Sequence, residues 1–304
     1  MTLYEEDLAP LPVVFYFAHR GFYNQSCLKG SRFLPFVSSL GPLWVSGIRG
    51  GNGEASGNQR GGIEEVPGSG IYRWYTFLLK SLALGERGQV KKLIEAKDYE
   101  GIKQALSNNP DLANAGIPYD KINTTKAHPL HRICDGVFTH AYTDEEAVTM
   151  ARIFLEFGAD INGGQLIEKQ DTPLLAAASL NADGVAIFYI EHGADIHHAG
   201  CHGGTALHWA AWCGREKLVS RLIQEGAEIN KKCIDFKATP LFWAVHGLKN
   251  GDQKNTPHYL ECVKILLQSG ADKNIPNADG NTVFDLLQDE DPELKELLLS
   301  DGFD

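Results

Sequence analysis

Two short boxes recur in phase along this chain. A chain patterned in this way folds by stacking like units rather than around one central core. The first box reads His128-Pro129-Leu130-His131, Thr172-Pro173-Leu174-Leu175, Thr205-Ala206-Leu207-His208, Thr239-Pro240-Leu241-Phe242 and, in weaker form, Thr282-Val283-Phe284-Asp285. Successive boxes begin 44, 33, 34 and 43 residues apart, a period in the range of stacked helical repeats. The second box reads Gly158-Ala159-Asp160-Ile161, Gly193-Ala194-Asp195-Ile196, Gly226-Ala227-Glu228-Ile229 and Gly270-Ala271-Asp272-Lys273. One such box would say little; two repeated in phase constrain the fold.

The stretch Gly203 to Asn230 shows the unit. Thr205 is placed to cap a helix carrying Ala206, Leu207, Ala210 and Ala211, which Gly214 ends. A second helix starts near Glu216, puts Leu218, Val219, Leu222 and Ile223 on one face and stops at Gly226. Neither helix is long enough to be stable alone, so the unit needs neighbours. Boxes and helix pairs together resemble the ankyrin repeat family, from roughly Gln89 to the C-terminus. The resemblance implies an all-α fold, a solenoid of helix-turn-helix units with β-hairpin loops.

On that register residues 1–70 form a leader and 71–304 the repeat domain, with cap helices over 71–114, four repeats over 123–271 and a C-terminal cap over 272–304. Nine of the 24 residues from Gly47 to Gly70 are glycine, a composition that favours disorder. Asp144 is expected to cap the outer helix of the first repeat. Insertions at Phe138–Tyr142 and Lys249–Pro257 leave from inner-helix ends and are expected to extend the groove. His128 departs from the box threonine, and Leu175 and Phe242 from the box histidine.

Net charge is −11. It is uneven: residues 89–304 hold 20 Lys/Arg against 32 Asp/Glu, and the first 88 residues sum to about +1. An acidic array repels phosphate backbones, which argues against nucleic acid as a partner. No apolar run reaches membrane-spanning length, and the start of the chain has no basic, signal-like region. Six scattered cysteines fit reduced thiols. These features lead us to expect a cytoplasmic monomer that holds no cofactor and does not engage a membrane.

No phosphate-binding loop or nucleophile elbow is present, so no catalytic residue is expected. The one chemically suggestive cluster is Cys201, His202, Cys213 and Cys233, which supports an alternative reading as a metal- or redox-sensing protein. Its spacing matches no zinc motif, and the primary expectation is that no metal is bound. His131 and His208 sit in the family box, where the resemblance implies a bond to the adjoining hairpin. His197 stands where other repeats carry Asn162, Asn230 and Asn274.

What remains is recognition of a protein partner. The resemblance implies that hairpin tips and inner-helix ends line a concave groove. By position these are Thr124, Thr125 and Asp135, then Glu168, Lys169, Asp171 and Ser179. The third repeat gives Cys201, His202, Trp212 and Cys213, and the fourth Asp235, Phe236, Ala238 and His246. Trp212 and Phe236 weigh most, because aromatics dominate binding hot spots; Trp212 could equally fold over the next helix. Trp209 and Trp243 are expected to pack between repeats.

Overall fold

The computed structural model describes residues 85, 87–118, 126–251, 256–287 and 292–300. The leader, the first helical stretch up to residue 84, and Thr124 and Thr125 lie outside the described residues.

Helix α1 (87–95) and α2 (Tyr99–Asn108) form the first pair. A short two-stranded antiparallel ladder follows, β1 (Ile117–Pro118) against β2 (Lys126–Ala127). Inner helices α3 (Pro129–Phe138), α5 (Pro173–Ser179), α7 (Ala206–Trp212) and α9 (Pro240–Asn250) alternate with outer helices α4 (Asp144–Glu156), α6 (Asp183–Glu191), α8 (Glu216–Gln224) and α10 (Thr256–Gln268). A 3-10 turn (Val283–Leu286) and α11 (Pro292–Leu299) close the described chain. Inner helix packs on inner helix and outer on outer, giving a two-layer solenoid. Only one hairpin forms a strand ladder among the described residues; the later ones are turns joined tip to tip, as in Lys169 N–H to Ala199 O (3.0 Å) and Asp235 N–H to His202 O (3.1 Å).

The box sequence explains the inner helices. Proline fills the first position of α3, α5 and α9, where its missing N–H costs nothing. The Thr172 and Thr239 hydroxyls accept from Leu175 and Phe242 N–H at 3.4 and 3.3 Å. His128 does the same work as the threonine it replaces, its Nδ1 accepting from Leu130 N–H at 3.3 Å. Helices α5 and α7 are only seven residues long and depend on burial to persist. Their buried alanines, Ala176, Ala177, Ala178, Ala206, Ala210 and Ala211, let the helices approach closely. Each outer helix stops at a left-handed glycine, Gly158, Gly193, Gly226 or Gly270, with φ between +83° and +93°.

Polar bonds then tie each repeat to the next. The side-chain oxygens of Asn114, Asn162 and Asn230 accept from the backbone N–H of Asp160, Asp195 and Asp272 at 2.7 to 2.9 Å. At the joint where His197 replaces asparagine, its Nδ1 lies 3.7 Å from Glu228. The outer layer has its own links, with Arg215 forked onto Asp183 at 2.8 Å for both bonds and His258 3.0 Å from Glu216.

Three expectations need correction. Thr143, not Asp144, caps α4 in a reciprocal box with Glu146; Asp144 points instead at the next repeat and accepts from Gly184 and Val185. The 138–142 insertion does not widen the groove at Tyr142, which is buried with its hydroxyl donating to Ile133 O at 2.8 Å. Burying the ring stabilises the loop more than exposing it would. The second insertion is shorter than expected because α9 continues through Lys249 and Asn250.

Candidate functional site

The hairpin tips of repeats two, three and four meet through side chains. Lys169 Nζ reaches 66 residues along the chain to pair with Asp235 Oδ1 at 2.5 Å. His202 Nδ1 lies 3.2 Å from the other oxygen of that carboxylate. Partial burial opposes ionisation of Asp235, but the bonds from Lys169 and His202 outweigh it and hold its pKa below the usual carboxylate value. The tip conformation is left-handed at both Lys169 and His202, with φ of 65° and 59°.

Beside this charged clasp lies an aromatic row. The His202 ring lies 5.1 Å from Phe236, and Phe236 lies 6.4 Å from Trp243. Trp243 is the hub: Trp209 and Trp212 meet it edge-on at 5.2 and 6.1 Å, and His208 at 5.3 Å. Trp212 in turn stacks on His246 at 5.0 Å and 24°. Edge-on and offset contacts of this kind suit ring quadrupoles. Burial lowers the His246 pKa, which favours the neutral imidazole.

Exposure sorts these rings. Trp243 is 6% exposed and belongs to the core, whereas Phe236 is 45% exposed. Trp209, Trp212 and His246 are intermediate, so Trp212 lies over the neighbouring helix and still shows a surface. Two exposed aliphatics, Leu166 (41%) and Ile167 (44%), stand on the same tip loop as Lys169. They were absent from the residues singled out by register. The signal was there, as adjacent aliphatics in an otherwise polar turn.

Other register positions contribute less. Glu168 is exposed but appears in none of the tip contacts above, and Asp171 is occupied by Cys201 N–H at 2.7 Å. Ser179 is half-buried, its hydroxyl donating to Ala176 O at 3.1 Å. Ala238 is buried. Asp135 is partly buried against Arg132. Cys213 is not a groove residue: it is buried, its thiol faces Ser179 O at 3.7 Å, and burial pushes its pKa up to about 12. Cys233 is fully buried. Among the described residues no three His, Cys, Asp or Glu side chains converge as metal ligands, so Cys201, His202, Cys213 and Cys233 form no common site. A protonated, enclosed Cys213 thiol is also a poor nucleophile.

Comparison with known proteins finds the same kind of repeat. Residues 138–233 and 201–277 match the family model described as ankyrin repeats (3 copies). The chain carries ankyrin repeats. Over 91 residues, 30% of the chain, it is 34% identical to the mouse palmitoyltransferase ZDHHC13 and 31% identical to the Drosophila melanogaster palmitoyltransferase Hip14. Over 100 residues it is 38% identical to the mouse protein phosphatase 1 regulatory subunit 12A. The matched segment spans 13% of each palmitoyltransferase and 8% of the phosphatase subunit. Ankyrin repeats are in general protein-interaction modules and in general non-enzymatic. No helix among the described residues is long and apolar enough to cross a membrane.

Proposed function

We propose that this ankyrin array binds a protein partner on its concave face, centred on Phe236, Trp212 and His246. The observation that carries this is the aromatic row that starts on buried Trp243 and surfaces at Phe236, 45% exposed. An anchored ring leaving a rigid core loses little conformational freedom on binding, which is what makes aromatic side chains effective hot spots. His202, Lys169 and Asp235 supply a polar margin beside it. Cys201 lies on the same tip, and Leu166 and Ile167 extend the surface toward repeat two.

The relatives fit a docking role. A regulatory subunit of a phosphatase and two palmitoyltransferases each match about a third of the chain, and their differing names point to a common part that recognises rather than reacts. By the same reasoning we read the array as a non-enzymatic adaptor.

The test places a photo-crosslinking phenylalanine analogue at Phe236 in the full chain, and at Lys217 on the outer layer in a parallel preparation. A partner captured from lysate should crosslink at 236 and not at 217. It should also be lost from a Trp212→Ala/Phe236→Ala variant of equal helicity. Crosslinking at 217 alone, or full retention by the double variant, would remove the concave-face reading.

A further inference from the structure

We infer that the partner segment taken by this surface is a basic, extended peptide, with one arginine guanidinium held between the Asp235 carboxylate and the Phe236 ring. The inference rests on the concave-face reading and adds the chemistry of the occupant. Three observations carry it.

Asp235 and Phe236 are neighbours on one tip, and His202 touches both, at 3.2 Å to the carboxylate and 5.1 Å to the ring. A carboxylate beside an exposed aromatic face is the combination a planar cation satisfies twice, by a charge-assisted hydrogen bond and by stacking. The carboxylate already holds two nitrogen donors, Lys169 from two repeats away on one oxygen and His202 Nδ1 on the other, so an incoming guanidinium takes the place of the Lys169 ammonium. An ammonium is a point charge and cannot also stack its plane on the ring, so guanidinium is the better fit. Finally, residues 89–304 carry an excess of twelve acids over bases, which steers a basic segment toward the array and repels an acidic one.

The upper limit on the spacing leaves room for an extended chain. Trp243 separates Phe236 from Trp212 by 6.4 and 6.1 Å, so the two partly exposed rings are about 12.5 Å apart at most. An extended peptide covers that distance in about four residues at ~3.3 Å each. An arginine at Phe236 and an apolar side chain at Trp212 can therefore come from one short strand.

The experiment titrates full-chain protein with a fluorescein-labelled peptide of alternating arginine and glycine. A second peptide replaces every arginine by citrulline, which keeps the planar shape and removes the charge. The arginine peptide is expected to bind at least about tenfold more tightly. Phe236→Ala and Asp235→Asn should each weaken it about five- to tenfold. Lys169→Gln should strengthen it about threefold or more, because the internal competitor for Asp235 is gone. Lys237→Gln makes the same charge change on an exposed tip residue and should have an effect that physiological salt removes.

The inference is overturned if arginine and citrulline peptides bind alike, if neither binds, or if the tip substitutions leave the arginine affinity unchanged. Such a result does not touch crosslinking at 236, which tests the concave face without regard to charge. A partner that crosslinks at 236 while the arginine peptide fails would keep the docking surface and discard the basic occupant.

Discussion

The carboxylate of Asp144 accepts a hydrogen bond from the backbone N–H of Gly184 at 2.5 Å, across 40 residues of sequence. Its other oxygen accepts from Val185 at 3.0 Å. Asp144 opens α4 but caps α6, whose own N-cap residue Ala182 supplies no side-chain bond. One repeat therefore finishes the helix of the next. Asp144→Ala should cost about 1–2 kcal/mol, the usual worth of an N-cap. Asp144→Asn should cost less, since one acceptor remains. Urea unfolding measures both, and an Asp144→Ala midpoint equal to wild type would show that the bonds add nothing.

Acid should weaken the array through His208. The ring is fully buried, with Nδ1 accepting from Thr205 N–H at 3.1 Å and Nε2 facing Ala238 O at 3.3 Å. Burial lowers its pKa from 6.5 to about 4. Between those values the unfolded chain binds a proton that the native chain does not. The stabilisation is complete above pH 6.5 and is lost as the pH falls toward 4, about 3 kcal/mol in all. His128, also lowered to about 4 mainly by burial, adds a term of the same sign. His208→Gln should be less stable near neutrality but lose less on acidification, as read by unfolding at about pH 7 and about pH 5. Parallel losses in both proteins would mean that His208 titrates normally.

The helix pairs were legible because their signals are local. Pro129, Thr172 and Pro173 start helices, Gly158 and Gly193 stop them, and the apolar spacing between names the buried face. The role of His208 was legible through the family box. What the sequence did not display were choices made across repeats. Nothing local to Asp144 says that its carboxylate turns away from its own helix, because Thr143 one residue earlier satisfies that helix first. Register put Cys213 at a helix end near the groove, but not the rotation that turns its thiol to Ser179 O. Trp212 had two readings at the sequence level, and only the His246 ring beneath it shows how far each applies.

At Gly247, α9 packs directly on the backbone at the end of α7. A Cβ there would run into the Trp212 carbonyl oxygen and would meet the Tyr259 ring at 3.0 Å. Backbone cannot swing aside as a long side chain can, so Gly247→Ala must push the helices apart. We expect a loss of about 2–3 kcal/mol, despite the ~1 kcal/mol by which alanine favours a helix. Gly226→Ala is the control: its φ of +91° is strained for alanine, but the space around it is open, and about 1 kcal/mol should be lost. Thermal melts rank the two, and the reverse order would show that the α7–α9 joint has slack.

Phe236 and Trp243 lie 6.4 Å apart in one aromatic row, and substitution should divide their roles. Trp243 is 6% exposed and touches Trp209, Trp212 and His208. Its truncation to alanine leaves a cavity that short helices cannot close, and should cost about 3–5 kcal/mol. Phe236 is 45% exposed, so Phe236→Ala removes little buried surface and should cost less than about 1 kcal/mol. Partner binding should show the opposite order once stability is matched, by assaying Trp243→Phe, which keeps most of the packing, beside Phe236→Ala. Trp243→Phe should retain the partner and Phe236→Ala should release it. If Phe236→Ala instead unfolds the array, the ring is part of the core and the surface it was assigned does not exist.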